Sequence, residues 1–341
     1  MNTAAAGRER PLVSLVLFAF NQQDYIGEAL EGALAQTYEP LEIQVVDDCS
    51  PDETFAVIEG IVADYGGPHA VSVHRNQNNI GWTRFGENFN ACTERSRGEL
   101  IVLAAGDDIS TPDRVEKLVG AWIEAGRPPA VVMSAFETIS DDTVHSGHIR
   151  HDGRNYGELP LIELVEQDGA GILGAAIGFT RDLYARFGPI PPESVFEDRV
   201  LGFRARLAGK VLYLDEPLVR YRIHADNVSG PSIHADARRW ARFCRGHREL
   251  FAAFRADVRR QHPDGSGDPL LFEAIDTRER HVERTEKLVS GNPLERAAAA
   301  WYVSQRQRNL RYRVSFILKA AGLWRGFDRA TSKRPQGGPA K

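Results

Sequence analysis

Two hydrophobic periods alternate along the first 135 residues. Short runs of aliphatic and β-branched side chains, Leu12–Phe18, Leu41–Val46, Ala70–His74, Leu100–Ala104 and Ala130–Ser134, read as buried strands. Between them the spacing becomes helical. Asp24 stands where it can cap a helix with Ile26, Leu30, Ala33 and Leu34 on one face. Ser50-Pro51-Asp52-Glu53 opens a second helix running to Tyr65, and Pro112 opens another. Strand and helix in turn predict a mainly parallel sheet covered on both faces.

Residues 136–160 are polar and irregular and predict a loop or small insertion. The pattern resumes with a short helix from 161, a strand at Ala175–Phe179, helices from Arg181 and across Asp198–Ala208, and strands near Val211–Leu214 and Leu218–Ile223. Beyond 232 the chain reads as helical and Arg-rich, broken at Pro263-Asp264-Gly265-Ser266-Gly267, and the last dozen residues from Arg329 are expected to be disordered. The predicted organisation is therefore an α/β domain over 1–230, with halves at about 11–135 and 136–230, followed by a basic helical region over 231–341.

Composition narrows the class. A chain of 341 residues that is 42% apolar can bury a large core. Cys49, Cys92 and Cys244 are scattered and form no CxxC pair, which argues against a disulfide framework or thiolate zinc site and fits a reducing, cytoplasmic setting. The apolar run behind Arg8 and Arg10 lacks a small-residue cleavage site and runs into Asn21-Gln22-Gln23-Asp24, so it reads as a strand. No stretch approaches the roughly 20 apolar residues that span a bilayer.

The net charge of −5 conceals an asymmetry: residues 231–341 carry 23 Lys+Arg against 12 Asp+Glu, the first 230 carry 19 against 35. Within the basic part, residues 301–327 interleave Arg and Lys with Trp301, Tyr312, Phe316, Trp324 and Phe327. Two readings stand open: a helix lying on anionic lipid at the inner face of a membrane, or one packed on the acidic domain or across a homodimer. Nothing in the pattern calls for a nucleic acid.

Ligands of open α/β sheets bind beyond the carboxyl ends of the strands. There the chain carries Phe20-Asn21, Asp47-Asp48, Asn78-Asn79 with Gly81, and Asp107-Asp108. Two adjacent carboxylates repel, so Asp107-Asp108 must be solvated, matched by Arg, or neutralised by a divalent cation; an acidic helix start is the plain alternative. Asp47-Asp48 invites comparison with a phosphorelay receiver, but Arg75-Asn76-Gln77-Asn78-Asn79 holds no acceptor Asp. Gly169-Ala170-Gly171-Ile172-Leu173-Gly174 fits the dinucleotide pattern GxGxxG, yet it follows a helical stretch and leads into a strand, the reverse of the context that gives the pattern its mechanism. Glu197-Asp198, behind a Pro-rich loop and ahead of an amphipathic helix, suit a positioned general base or a plain cap. Arg222 and His224, late in the α/β region, are candidates to hold phosphate or metal.

In this order, "VSLVLFAFNQQDYIGEALEGALAQTYEPLEIQVVDDCSPDET", "GDDISTPDR", "FEDRVLGFRARLAGK" and "YRIHADNVS" resemble the family 2 glycosyltransferases of the GT-A fold, over about residues 11–230. The resemblance implies an inverting, metal-dependent enzyme of surface polysaccharide or glycolipid synthesis. It would move a sugar from a nucleotide-diphosphate donor to a saccharide or lipid-linked acceptor. Phe18, Ala19, Phe20 and Asn21 fall where the family frames the nucleoside, Asp48 where a carboxylate reads the base, with Asp47 beside it, and Arg84 and Asn88 in the segment flanking the nucleotide. Asp107 and Asp108 fall in the acidic motif that binds Mn²⁺ or Mg²⁺, with Ala105 in place of one expected acid, and Asp107 also borders the nucleotide. Asp198, with Glu197, matches the catalytic base, and His224 a residue near the pyrophosphate. Two other readings stay open: sugar-phosphate nucleotidyl transfer, although Ala19-Phe20-Asn21-Gln22 is no phosphate loop, and a nucleotide-sugar binding module without turnover.

Overall fold

The computed structural model describes residues 10–140, 143–150, 155–224, 227 and 237–306. Its centre is a nine-stranded sheet. The amino-terminal part is built from β1 (Val13–Ala19), β2 (Leu41–Asp47), β3 (Ala70–Arg75) and β4 (Leu100–Ala105), all parallel, with α1 (Ile26–Leu34), α2 (Thr54–Ala63) and α3 (Phe85–Arg95) as crossovers. The carboxyl-terminal part adds β5 (Ile109–Ser110), α4 (Arg114–Glu124), β6 (Ala130–Ser140), β7 (Thr143–Arg150), α5 (Leu161–Glu166), β8 (Ile177–Thr180), α6 (Arg181–Phe187), α7 (Glu197–Ala208) and β9 (Lys210–Ile223). The strand order is β3-β2-β1-β4-β8-β6-β9-β5, with β7 on β6. β2 is buried along its whole length, as befits a parallel strand covered on both faces. Val13, Leu15 and Leu17 of β1 and Leu100 and Val102 of β4 join Ile26, Leu30, Leu118 and Trp122 in one hydrophobic core.

The register fixes which residues meet at the sheet edge. Phe18 lies opposite Ala105, Ala19 opposite Asp47, and Asp47 opposite Arg75. Backbone bonds continue the alignment past the strand ends, from Asp48 N to Ala19 O (2.9 Å), Gly106 N to Phe18 O (2.8 Å) and Asn76 N to Asp47 O (2.9 Å). β5 pairs antiparallel with β9, Ile109 facing Arg220, and so brings the preceding acids beside the end of β9.

Several local expectations are corrected. Asp24 does not cap α1: Tyr25 precedes its first turn, without a side-chain cap, and Tyr25 N and Ile26 N both bond to Gln22 O. The helix near Pro112 begins at Arg114, behind Asp113. The predicted loop over 136–160 begins instead with an antiparallel β6–β7 pair, whose strand period was hidden by the many polar residues of its sequence. Val211–Leu214 and Leu218–Ile223 are one strand, β9. Asp215, Glu216 and Pro217 lie where the β6 pairing jumps from Leu214 to Pro217, an irregularity that accommodates the proline without ending the strand.

The chain divides into two compact units, Met1–Ala225 with Ala252–Ile275, and Asp226–Phe251 with Asp276–Lys341. Thus 252–275, which the sequence reading grouped with the tail, sit with the α/β unit. They supply the second half of α8 (Ala237–Gln261) and the start of α9 (Pro269–Ser290). In the other unit Trp240 Nε1 donates to Thr285 O (3.3 Å) and His281 packs on Tyr302, with α10 (Pro293–Arg306) completing its described helices. Most of the 301–327 stretch and the final dozen residues lie outside the described residues. No described helix is long and apolar enough to cross a membrane.

Candidate functional site

The acidic pair after β4 is bound to the end of β9. Asp107 Oδ2 lies 3.0 Å from His224 Nε2, and Arg222 Nε donates to Asp107 O (3.1 Å). Tyr25 stacks on His224 at 4.9 Å, and the Arg222 guanidinium sits 5.0 Å from the Tyr25 ring centre. Asp108 turns inward: it is 4% exposed, Oδ1 accepts from Arg222 N (2.9 Å), and Oδ2 is buried without a hydrogen-bond partner among the described residues. Burial, then the neighbouring Asp107, push the Asp108 carboxyl well above its ordinary range. The sequence left open whether arginine or a cation tolerates this pair. Two arginines, Arg222 and the fully buried Arg114, stand on the Asp108 side, while Asp107 is matched with His224.

Arg114 also joins the two halves of the sheet edge. Its guanidinium donates to Ser110 Oγ (2.9 Å), Leu103 O (2.8 Å) and Ala175 O (2.7 Å), the last two through the same nitrogen. Burial lowers its pKa to about 10, still charged at neutral pH. Ala175 follows Gly174, whose backbone bonds to Asp198. One buried cation therefore ties the strand leading to Asp107-Asp108 to the turn that holds Asp198.

Glu197 and Asp198 form the first turn of α7, partly buried. Asp198 Oδ1 accepts from Arg199 N (2.7 Å). Burial raises both carboxyls, and each stands beside the other, so full ionisation of the pair is disfavoured at a pH where an ordinary carboxylate is charged. Gly174 is required by close approach: a Cβ there would lie 2.6 Å from Glu197 Oε1 and 3.7 Å from Asp198 Cβ. Only the flexible end of Glu197 must yield, so Gly174→Ala should fold normally yet lower kcat about tenfold to a hundredfold, with donor KM little changed, in steady-state assays with the donor that turns over. The Tyr156 hydroxyl, buried and without a hydrogen-bond partner among the described residues, is held protonated by burial and by Asp198.

On the β1–β3 side, Phe20 is exposed, Asn21 has a positive φ of 55°, and Phe18 meets Phe85 at 4.9 Å. Asp47 is fully buried and bound by Ser50 N (3.0 Å), Ser50 Oγ and Arg75 Nε (3.2 Å). Asp48 faces the loop after β3. Arg84 is exposed and paired with Glu87 (2.6 Å), and Asn88 is buried with its amide oxygen toward Cys92. Asn88 is thus turned to the core. The Gly169–Gly174 turn leads into β8, without the strand-to-helix context of a dinucleotide site. Arg114, Tyr25 and Tyr156 were not singled out by sequence, and Gly174 entered only as part of the GxGxxG stretch, read as a small-residue loop beside a substrate. The signal available for Arg114 was its place in "GDDISTPDR", a cation six residues after the second of two acids.

Residues 14–185 match the description of Glycosyl transferase family 2. The chain belongs to glycosyltransferase family 2. Relatives include an uncharacterized glycosyltransferase of Rickettsia prowazekii, 26% identical over 66% of this chain and 68% of that one. A putative glycosyltransferase, EpsE, of Bacillus subtilis is 31% identical over 36% of this chain and 42% of its own. Among solved structures, S. aureus TarS 1-349 in complex with UDP superposes with a TM-score of 0.56 at 15% identity, covering 96% of this chain and 94% of that one. The mannosyltransferase PcManGT of Pyrobaculum calidifontis, in complex with GDP-Man and Mn²⁺, gives 0.51 at 17% identity, covering 96% and 82%. The GT-A type fold is thereby established, and the family is one of glycosyl rather than nucleotidyl transfer.

Proposed function

We propose that this family 2 enzyme takes a nucleotide-diphosphate sugar and transfers the sugar with inversion to an acceptor hydroxyl, in surface polysaccharide or glycolipid assembly. The observation that carries the reading is the shared edge: the Asp107–His224 pair and the Glu197–Asp198 pair are tied together through Arg114, which bonds Leu103 O and Ala175 O with one nitrogen. A donor spanning that edge has its diphosphate by the first pair and its anomeric carbon toward the second. Phe18, Phe20 and Asn21 are left for the nucleoside.

Asp198 is the general base. Its carboxylate removes the acceptor proton as the hydroxyl oxygen attacks the anomeric carbon opposite the leaving diphosphate, so an α-linked donor yields a β-linked product. Glu197, sharing the buried charge, holds Asp198 basic enough for this task.

The donor atoms of Asp107 and His224 fit a divalent cation that completes its shell from phosphate. Among the described residues no group of three or more His, Cys, Asp or Glu is gathered to hold a metal. A carboxylate oxygen and an imidazole nitrogen nonetheless suit Mn²⁺ or Mg²⁺ bound largely through phosphate oxygens and water. Asp107 and His224 would hold it, whereas inward-facing Asp108 steadies Arg222. Such an ion, when bound, would offset charge on the departing diphosphate.

Calorimetric titration tests the donor class and the cation together. Mn²⁺ should tighten UDP or GDP binding about tenfold in the wild type, and Asp107→Asn should abolish that gain while leaving cation-free binding unchanged. Equal affinities with and without Mn²⁺ in the wild type would remove the cation. Tight nucleotide binding with no nucleotide released from any sugar donor would make the chain a binding module.

A further inference from the structure

The loop that delivers the Glu197–Asp198 pair can do little to hold itself. It runs from Gly188 to Phe196 between α6 and α7 and contains neither helix nor strand. Pro189, Pro191 and Pro192 have no N–H, so Ile190 N is the one backbone donor from Pro189 to Pro192. Ile190 is 1% exposed, and a buried backbone N–H and C=O need partners. Both come from a single side chain on α3. Asn90 Oδ1 accepts from Ile190 N (3.0 Å) and Asn90 Nδ2 donates to Ile190 O (2.8 Å), the exchange that two facing residues of antiparallel strands would make.

The start of the same helix holds the rest of the loop. Gly86 N donates to Ser194 O (3.0 Å) and Glu87 N to Pro192 O (3.2 Å), using N–H groups that a first helical turn leaves without an internal partner. Gly86 permits the approach, because a Cβ there would lie 2.1 Å from Pro191 O. Arg84, which the resemblance sets beside the nucleotide, immediately precedes α3. One helix therefore borders the donor segment at its start and, within its first turns, grips the loop that ends at the proposed base.

We propose that Asn90 is a positioning residue for the transfer reaction: by pairing with Ile190 it fixes the loop from which Glu197 and Asp198 rise, and so sets the base against the donor. The inference rests on the reading of Asp198 as general base given above, but half of its test does not. Asn90→Ala removes both bonds. Asn90→Asp keeps the shape and the acceptor for Ile190 N and loses the donor to Ile190 O; should Asn90→Ala not fold, it carries the same comparison. Tyr184→Phe is the control. The Tyr184 hydroxyl donates to the same Asn90 Oδ1 (3.2 Å), so its loss disturbs this corner of the protein without touching the Ile190 pair.

Hydrogen exchange on the protein without nucleotide should show the Ile190 amide exchanging about tenfold faster in Asn90→Ala and at the wild-type rate in Tyr184→Phe. Steady-state assays with the donor that turns over should show kcat about tenfold to a hundredfold lower in Asn90→Ala, a smaller fall in Asn90→Asp, and kcat within about twofold of the wild type in Tyr184→Phe. UDP or GDP affinity should stay within about twofold throughout. A merely structural side chain would behave otherwise: unfolding would begin earlier while kcat per folded molecule kept its wild-type value. That result in Asn90→Ala, an unchanged Ile190 amide, or an equal loss of kcat in Tyr184→Phe overturns the inference. If Asp198→Asn turns over normally, the base reading falls instead, and the exchange measurement still decides whether Asn90 holds the loop.

Discussion

Asp198→Asn is expected to lower kcat by about a thousandfold or more while leaving nucleotide affinity within about twofold of the wild type. The substitution keeps the shape of the side chain and the oxygen that accepts from Arg199 N, so the start of α7 is preserved. What disappears, on the proposed mechanism, is the carboxylate oxygen that takes the acceptor proton. Single-turnover measurement of sugar transfer, alongside nucleotide titration, separates the two effects. Near-normal turnover would remove Asp198 from the mechanism.

Two pH measurements distinguish a chemical loss from a structural one. Burial raises the Asp198 carboxyl, and a general base must be ionised, so wild-type kcat/KM should fall on the acid side through a pKa above the usual carboxylate range. The residual activity of the variant should lack that limb. For stability the sign is opposite to that of an ordinary salt-bridged acid. A carboxyl whose folded pKa is raised contributes stability fully below its unfolded pKa, near 4, and loses it as pH rises through the folded value. At neutral pH the wild type has lost part of that contribution and the amide has nothing to lose. Asp198→Asn should therefore melt at or above the wild-type temperature at pH 7, with the difference shrinking toward pH 4.

How far such a site can be read in advance depends on what carries the signal. β1, β2 and β4 were legible to within a residue because a parallel strand buried on both faces is rich in aliphatic and β-branched residues, a pattern that survives Ser14 in β1 and Glu42 and Gln44 in β2. The edge residues followed, since strand ends in this architecture mark the ligand side. β7 was not legible, because a run as polar as Thr143–Arg150 reads like a loop, and the continuity of β9 was hidden by Asp215-Glu216-Pro217. The acids Asp107, Asp108, Glu197 and Asp198 could be named, but not their division of labour. Asp108 faces inward only because β5 pairs with β9, a contact made across more than a hundred residues of sequence. Arg114 shares this limit. It owes its place to the backbone groups that surround it, Leu103 O and Ala175 O, and side-chain identity alone does not reveal them.

Arg204→Met is expected to destabilise the protein by about 3–5 kcal/mol, the range for stripping one partner from a buried ion pair. Arg204 and Asp257 are 2% and 3% exposed in their side chains, and the guanidinium meets the carboxylate through Nε (2.8 Å) and Nη2 (3.2 Å). The same group donates to Gly188 O (2.7 Å), fixing the loop after α6, while Phe203 stacks on Phe254 at 4.0 Å. These contacts bind α7 to the second half of α8, which explains why 252–275 belong to the α/β unit. Burial already pushes the Asp257 carboxyl upward against the pull of Arg204, and without the guanidinium only protonation relieves the charge. The deficit, measured by denaturant unfolding, should thus be larger at pH 8 than at pH 5. Adding Asp257→Leu to Arg204→Met should recover much of it, because the orphaned carboxylate is then gone. If the single and double variants are equally unstable at both pH values, the loss lies in the Gly188 contact and packing rather than in the stranded charge. Asp198 stands at the other end of α7, so a partial melt around Arg204 also predicts a fall in kcat before global unfolding.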